Sequence, residues 1–208
     1  MDFQIFTGNP AELPADTLVV TINDNGELSA SAEKIDSASG GAIQARISAK
    51  DVTGSAGSSL TLYSLANTQA NRTVIAGSGK ENLNAVDANK IASTIGKAIA
   101  GKTGTAAVDV SALATDSRPQ AWWAEQIVLA VHAAQYKFIA TLPGKEPSPA
   151  LDTLVWIGED VKTALTVADA KGLGTSYAKE LGNMPPNICT PTYLADEAQK
   201  LSDAAGFS

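Results

Sequence analysis

Residues that commonly carry catalysis or cross-links are scarce in this sequence. Its 208 residues include a single cysteine, Cys189, and a single histidine, His132. One cysteine excludes an internal disulfide and is typical of a reducing compartment. One histidine and one cysteine far apart in the sequence form a weak basis for a zinc site. His132 lies in an apolar segment with no recognisable nucleophile motif nearby, so we predict a histidine packed within a helix rather than a catalytic base.

Positive charge is also limited, because 15 lysine and arginine residues stand against 22 aspartate and glutamate residues, a net charge of −7. Binding to nucleic acid through its phosphates requires a basic face, so this balance disfavours a DNA-binding function. Arg118, Trp122 and Trp123 resemble a base-stacking group. Adjacent tryptophans on an apolar helix are more typical of a core or a subunit interface, which is the interpretation we favour.

Long hydrophobic runs are missing as well. No apolar stretch approaches the roughly 20 residues that cross a bilayer, and the segment from Met1 onward has no basic stretch before an apolar core, as a signal peptide would. A hydrophobic content of 44% with 18% charged residues is typical of globular proteins. We therefore expect a cytoplasmic protein that does not contact a membrane.

The distribution of apolar residues predicts an α/β fold. Short apolar runs bounded by turn residues predict strands at residues 3–7, 17–22, 60–65, 73–76, 105–110 and 151–157. Helical periodicity predicts helices at residues 35–48, between residues 84 and 101, at residues 118–138, and from residue 161 onward. Gly172 and Gly174 interrupt the last pattern, which leaves open two helices or one weakened rod.

The order of these elements predicts the architecture. The later strands alternate with helices, which indicates parallel strands joined by right-handed crossovers. The two strands within residues 60–76 form an antiparallel hairpin with a loop at residues 67–71. We therefore predict a three-layer α/β/α sandwich with a mixed, mostly parallel sheet.

Near its end the chain contains a rigid turn between two helices. Pro185 and Pro186 fix φ and supply no backbone donor, so the preceding helix must end near Asn183. Thr190 suits the N-cap of a new helix, and Pro191 suits its first position. Because chain ends are usually loose, a junction built in this way suggests that a further segment follows in the complete protein.

The residues around this turn resemble the hinge between the two domains of leucyl aminopeptidases, also called cytosol aminopeptidases. The family pattern runs Ala-Arg-x-Leu-x-Asn-x-Pro-x-Asn, followed by Thr-Pro and a Leu-Ala helix. The matching residues are Ala178, Leu181, Asn183, Pro185, Asn187, Thr190, Pro191, Leu194 and Ala195. Lys179 replaces the usual arginine, which keeps the charge but loses the planar guanidinium. Weaker similarity extends upstream, at residues 16–20, 39–43 and 73–80.

The resemblance implies a cytosolic metallo-exopeptidase that removes N-terminal residues from peptides and assembles as a hexamer. In the family, two metal ions, usually zinc or manganese, activate a bridging water. Their ligands belong to a C-terminal catalytic domain with signatures like Asp-Thr-Gly-Gly and Asn-Thr-Asp-Ala-Glu-Gly-Arg-Leu. Neither signature occurs here, since Asp152 and Thr153 are followed by Leu154. We therefore assign no catalytic, cofactor-binding or metal-binding residue to this chain, and expect it to lack peptidase activity by itself.

The same resemblance divides the chain into three parts. Residues 1–158 form an N-terminal α/β domain similar to macro domains, residues 159–183 form a linker helix, and residues 184–208 form the hinge and the first helix of a catalytic domain. The implied role of the N-terminal domain is to pack on the catalytic domain and to support oligomer contacts. The alternative is a stand-alone macro-like module that binds a nucleotide ligand or DNA.

Two glycine-rich segments bear on that alternative. The segment from Gly77 to Lys80 follows a strand, but a phosphate-binding P-loop requires Gly-x-x-x-x-Gly-Lys-Ser/Thr, and this sequence departs from it at two positions. A glycine turn that leaves a strand is the better interpretation. Macro domains bind ADP-ribose through glycine-rich loops, whose backbone amides cradle phosphate. The residues that could build such a pocket are Gly40, Gly41, Gly77 and Gly79.

Overall fold

A computed structural model describes residues 1–146 and 149–206 of the chain. The strands are β1 (Asp2–Phe6), β2 (Thr17–Ile22), β3 (Ser59–Tyr63), β4 (Arg72–Gly77), β5 (Thr105–Val108) and β6 (Thr153–Ile157). The α-helices are α1 (Ala30–Ala38), α2 (Ala42–Ser48), α3 (Ala85–Ile99), α4 (Gln120–Gln135), α5 (Lys162–Asn183) and α6 (Pro191–Ala205). Across the described ranges, none of these helices has both the length and the apolar character that a membrane crossing demands.

The six strands form one mixed sheet in the order β1-β6-β5-β2-β4-β3. Every neighbouring pair is parallel except β3 with β4, which is antiparallel. The register places Leu18 beside Thr73 in the β2–β4 pair and Leu60 beside Ile75 in the β3–β4 hairpin. The predicted mixed, mostly parallel sheet is therefore confirmed, and so is the predicted hairpin.

Strand β2 lies at the centre of the sheet, and all six of its residues are buried. Its alternate side chains enter two separate cores, because successive residues of a strand face opposite sides of a sheet. Val19 packs in the core under α3, α4 and α5, whereas Leu18 and Val20 pack in the core under α1 and α2. The helices thus cover both faces of the sheet, which confirms the predicted three-layer sandwich.

One predicted helix is wrong. The pattern at residues 35–48 predicted a single helix, but the chain forms α1 and α2 with a sharp turn between them. Gly40 and Gly41 both have positive φ, +70° and +84°, which glycine adopts without steric cost. The Asp36 carboxylate then accepts hydrogen bonds from the backbone amides of Ile43 and Gln44, at 2.7 and 3.0 Å. These bonds satisfy free donors at the start of α2 and stabilise the break.

Local signals for helix ends are confirmed at α3. The Asn84 side chain accepts a hydrogen bond from the Asp87 amide at 2.8 Å and donates one to the Asp87 carboxylate, also at 2.8 Å. This arrangement resembles a capping box, but Asp87 accepts from the Asn84 side chain and not from the Asn84 backbone amide. Gly101 follows the last turn with φ +66°, as predicted for the residue that stops the helix.

Helix α5 is one continuous helix of 22 residues, so the structure decides between the two alternatives that its glycines left open. Gly172 lies directly against the ring of His132 on α4, and a Cβ at this position would lie 2.2 Å from the ring carbon Cδ2. A Cβ at Gly174 would meet nothing within 4 Å. Gly172 therefore permits close approach of α4 and α5, whereas Gly174 has no comparable packing role.

The turn between α5 and α6 is built as the sequence predicted. α5 ends at Asn183, and the Pro185 carbonyl then accepts hydrogen bonds from the amides of Ile188 and Cys189, both at 2.9 Å. The Thr190 hydroxyl accepts a hydrogen bond from the Tyr193 amide at 3.2 Å and caps α6. The hinge is therefore a defined turn with its own hydrogen bonds.

Side chains tie both helices of the hinge to their neighbours. The Tyr136 hydroxyl, just past the end of α4, donates to Glu180 at 3.2 Å and accepts from the Asn183 side chain at 2.9 Å. Across the turn, the Tyr177 hydroxyl donates to Glu197 at 2.8 Å. The contact of Tyr177 with Glu197 is a polar link between α5 and α6.

Helix α6 buries none of its residues. Leu194 and Leu201 lie two turns apart on one side of the helix, and their side chains are 44% and 47% exposed. Ile188 in the preceding turn is 41% exposed. A helix with an open apolar side gains little from packing and depends on its caps and polar contacts.

The two glycines of α5 give a matched pair of substitutions. We expect Gly172→Ala to lower the free energy of unfolding by roughly 1–3 kcal/mol, because the new methyl group displaces the His132 ring. Gly174→Ala should raise it by up to about 1 kcal/mol, because alanine is the better helix former. Urea unfolding followed by circular dichroism measures both changes. Equal stabilisation by the two substitutions would show that the α4–α5 contact is not close-packed.

The Tyr177–Glu197 contact predicts how the docking of α6 depends on pH. Hydrogen bonds from Lys200 and then Tyr177 lower the pKa of Glu197, and the hydrogen bond to Glu197 raises the pKa of Tyr177. The contribution of Glu197 to the stability of the contact between α5 and α6 is therefore present above its unfolded-state pKa. It is lost as pH falls through the folded-state pKa. The Tyr177 contribution is present below its unfolded-state pKa and is lost as pH rises through the folded-state pKa.

We expect Tyr177→Phe to increase the mobility of α6 at neutral pH and to remove the Tyr177 part of this pH dependence. Backbone ¹⁵N relaxation of the α6 amides measures the change. Tyr63→Phe is the control, because Tyr63 is a tyrosine of β3 that is 71% exposed and far from α6. The same α6 relaxation in both variants at neutral pH would contradict the proposed link.

Candidate functional site

A cleft lies outside the carboxyl ends of β2, β4 and β5. The chain leaves β2 toward α1 on one face of the sheet, and it leaves β4 and β5 toward α3 and α4 on the other. Such a point, where neighbouring connections diverge, is where open α/β sheets bind their ligands. The cavity has a volume of about 570 Å³, within the usual range for small-molecule sites.

Hydrogen bonds within and between the loops after β2 and β4 fix this wall of the cleft. The Asn23 side chain accepts from the amides of Asn25 and Glu27, both at 3.0 Å, which closes the loop after β2 on itself. The Asp24 amide donates to the Gly79 carbonyl at 3.1 Å and so joins this loop to the one after β4. Local side chains and backbone therefore hold these loops in place before any ligand arrives.

Arg118 occupies the other side of the cleft. Its Nη1 donates to the Leu83 carbonyl at 2.8 Å, and its guanidinium carbon lies 5.6 Å from the centre of the Trp122 ring. Trp123 beneath it is fully buried and donates from Nε1 to the Leu113 carbonyl at 3.1 Å. Within residues 1–146 and 149–206, no carboxylate lies within ion-pair distance of Arg118.

The charged groups around the cleft have both signs. Lys80 and Arg118 supply two positive charges, and the loops after β2 and β4 supply the carboxylates of Asp24, Glu27 and Glu81. A polyphosphate would have to approach all three carboxylates, which argues against a nucleotide site. The DNA-binding alternative meets the same repulsion at this edge of the sheet.

The four glycines considered for a phosphate pocket do not come together. Gly77 ends β4, and Gly79 has φ +72° in the turn beside the cleft, which confirms a glycine turn that leaves a strand. Gly40 and Gly41 lie at the opposite end of the sheet, beyond the end of α1, where the Asn67 side chain in the β3–β4 hairpin bonds the Ala38 carbonyl at 3.1 Å. The four glycines therefore do not form a single pocket, because α1 carries the chain away from the cleft.

The histidine and the tryptophans occupy the positions that their apolar surroundings indicated. His132 is 12% exposed, and its Nε2 lies 2.7 Å from the Asp169 carboxylate of α5. Trp123 is part of the core, and Trp122 packs edge-on against it with ring centres 5.0 Å apart. The packed histidine is confirmed, as is the interpretation of Trp123 as a core residue.

The described residues of this chain do not fit the two metal ions that the resemblance implies. In the described part of the chain, no three histidine, cysteine, aspartate or glutamate side chains group together as metal ligands would. Asp152, which begins the partial Asp-Thr match, instead accepts a hydrogen bond from the Gly104 amide at 2.7 Å. Its carboxylate therefore secures the entry to β6.

Sequence reasoning missed the cleft because its parts are distant in the chain. Arg118 and Leu83 are separated by 35 positions, and Asp24 and Gly79 by 55. The available signal was the position of turn residues directly after the strands at residues 17–22 and 73–76. Since parallel strands place their carboxyl ends at one edge, these turns had to meet there.

Known proteins resemble this chain along most of its length. The family model described as "Cytosol aminopeptidase family, N-terminal domain" matches residues 19–141. A probable cytosol aminopeptidase of Xanthomonas axonopodis pv. citri is 35% identical over 207 residues, which is 95% of this chain and 41% of the relative. Another, of Pseudomonas syringae pv. syringae, is 33% identical over 98% of this chain and 42% of the relative. The chain therefore spans about two fifths of the length of these relatives.

Solved structures share the fold. A mutant of tomato leucine aminopeptidase aligns with a TM-score of 0.76 at 19% identity, over 98% of this chain and 42% of that chain. The bottromycin maturation enzyme BotP, in a complex with Mn, aligns with a TM-score of 0.68 at 18% identity, over 92% of this chain and 37% of that chain. With the family match and the curated relatives, these findings show that the chain belongs to the cytosol aminopeptidase family and contains its N-terminal domain.

Proposed function

We propose that this chain is the non-catalytic N-terminal part of a two-metal aminopeptidase that removes N-terminal residues from peptides in the cytoplasm. The observation that carries the proposal is the family match over residues 19–141, followed by a hinge with the family's residue pattern. In this proposal the two ions, manganese or zinc, bind in a catalytic domain that corresponds to the rest of the relatives' length. The role of this chain is to pack on that domain and to support a hexamer.

We propose the same three-part division of the chain, and its elements support it. Residues 1–158 contain the whole sheet, residues 159–183 contain α5, and residues 184–208 contain the hinge and α6, of which the last two lie outside the described residues. α5 packs along α4, and its ion pair of Lys171 with Glu125 at 2.6 Å adds a surface contact. Because α5 is packed on α4, the residues at the end of α5 from which the hinge starts are held in place.

The exposed side of α6 is the surface that we assign to the catalytic domain. Leu194 and Leu201 remain about half exposed, and Ile188 in the hinge is 41% exposed. Burial of apolar side chains is favourable by about 25 cal/mol per Å² removed from water. A second domain that covers this side gains that energy and gives α6 the packing that it lacks here.

An activity assay tests the proposal. We expect the 208-residue chain to release no para-nitroaniline from leucine para-nitroanilide with either Mn²⁺ or Zn²⁺, because the sequence lacks both metal-ligand signatures. The protein expressed from its coding sequence up to the natural stop codon should hydrolyse this substrate. A chelator should abolish that activity, and added metal should restore it. Mass spectrometry should find the full-length protein as a hexamer.

Two results would contradict the proposal. Metal-dependent release of para-nitroaniline by the 208-residue chain would place the reaction within these residues. A natural stop codon at Ser208, with no activity, would remove the peptidase function from this protein and leave a binding module as the alternative.

A substitution on α6 tests the packing role separately. We expect Leu201→Asp to change the free energy of unfolding of the 208-residue chain by less than about 0.5 kcal/mol, because the side chain is exposed there. In the full-length protein the same change should cost roughly 2 kcal/mol or more, because it places a carboxylate in an apolar contact. Thr192→Asp, on the opposite side of α6, is the control and should be tolerated in both. Equal tolerance of Leu201→Asp in both proteins would exclude this surface.

A further inference from the structure

The cleft at the carboxyl ends of β2, β4 and β5 has features of a binding site that the proposed function does not use. Its walls come from three separate loops, which interloop and local hydrogen bonds hold in position. The cavity of about 570 Å³ is large enough for a small organic molecule. The chemistry of its charged groups narrows the choice of ligand.

Arg118 is prepared to bind a carboxylate. One guanidinium nitrogen is held by the Leu83 carbonyl and the group lies beside the Trp122 ring, so its orientation is fixed in the absence of a ligand. A guanidinium has five N–H donors, and this contact uses one nitrogen. No carboxylate in the described ranges pairs with Arg118. Arginine binds carboxylates through two parallel hydrogen bonds, which a ligand here would complete.

The loop after β2 provides the opposite charge. Asp24 and Glu27 are exposed carboxylates of the cleft, and Asn23 holds their loop in a fixed shape. The five ionisable groups of the cleft have a net charge of −1. The cations are Lys80 and Arg118, and the carboxylates are Asp24, Glu27 and Glu81. The excess of negative charge would repel a dianion, and Arg118 would repel a simple cation. A ligand with one positive and one negative group satisfies both sides.

Apolar residues complete the site between the charged groups. Leu83, Leu113 and Ala114 line the cleft near Arg118. Leu113 is buried and Leu83 is half-buried. These side chains offer an apolar contact to a ligand whose charges are separated by a short hydrocarbon group. Free α-amino acids and short peptides have this combination of ammonium, carboxylate and side chain.

We infer that this cleft binds a zwitterionic amino acid or short peptide, with the carboxylate at Arg118 and the ammonium group at Asp24 and Glu27. The inference depends only on the cleft and does not require the proposed aminopeptidase function. Lys80 lies on the rim, where it is exposed, and adds to the attraction for the carboxylate.

An NMR titration of the 208-residue chain tests the inference. Leucine and leucyl-glycine should shift the amide signals of Gly79 and Glu81 and the indole signal of Trp123. N-acetyl-leucine lacks the ammonium group and leucinamide lacks the carboxylate. Each should therefore bind at least roughly tenfold more weakly than leucine. Inorganic pyrophosphate is the probe for a phosphate site and should produce no shifts at these residues.

Two variants assign the charges to their residues. Arg118→Gln should weaken leucyl-glycine binding at least roughly tenfold, whereas Arg46→Gln should leave it unchanged, because Arg46 pairs with Asp51 and does not line the cleft. Because Arg118 also bonds Leu83, Asp24→Asn is the second variant: its side chain is exposed, and it should weaken binding of leucyl-glycine but not of N-acetyl-leucine.

Three outcomes would overturn the inference. The first is the absence of any shift with leucine or leucyl-glycine at millimolar concentrations. The second is equal binding of the zwitterions and their blocked analogues, which would show that the charges are not recognised. The third is a response to pyrophosphate alone, which would make the cleft an anion site despite its carboxylates.

Discussion

Burial of β2 on both faces is the constraint on which the rest of this structure depends. A strand between two parallel neighbours has no face in water, so both of its faces require a layer of helices. Val19 and Val20 are consecutive and fully buried, yet they belong to different cores. The chain therefore leaves β2 toward one face of the sheet and leaves β4 toward the other face. The cleft forms where these two directions separate, and it is a consequence of the topology.

Features whose physical cause is local could be predicted from the sequence. The six residues of β2 form an apolar, β-branched run of the kind that a doubly covered strand requires. The caps at Asn84 and Thr190 depend on residues within three positions, so the pattern alone contains the necessary information. Pro185 and Pro186 end α5 for the same reason, because proline restricts its own backbone and that of its predecessor.

Features that depend on distant contacts could not be predicted. A glycine within a helical pattern costs only about 1 kcal/mol, so Gly40 and Gly172 looked alike in sequence. Gly40 breaks the helix because Asp36 reaches the amides that begin α2. Gly172 leaves α5 intact because the space that it provides is filled by His132 of another helix. The same limit applies to the candidate site, since Arg118 gains its orientation from a carbonyl 35 positions away.

The cleft and the hinge lie near opposite ends of α4. The helix begins two residues after Arg118, and the residue after its last turn, Tyr136, bonds Glu180 and Asn183 at the end of α5. Between these ends, the buried side chains of α4 are packed on the sheet, on α3 and on α5. Coupling between distant sites requires an element with two arrangements, whereas the side chains of α4 are closely packed on the sheet and on two helices. We therefore expect a ligand in the cleft to stabilise the domain by binding its folded form, without a change in the direction of the hinge.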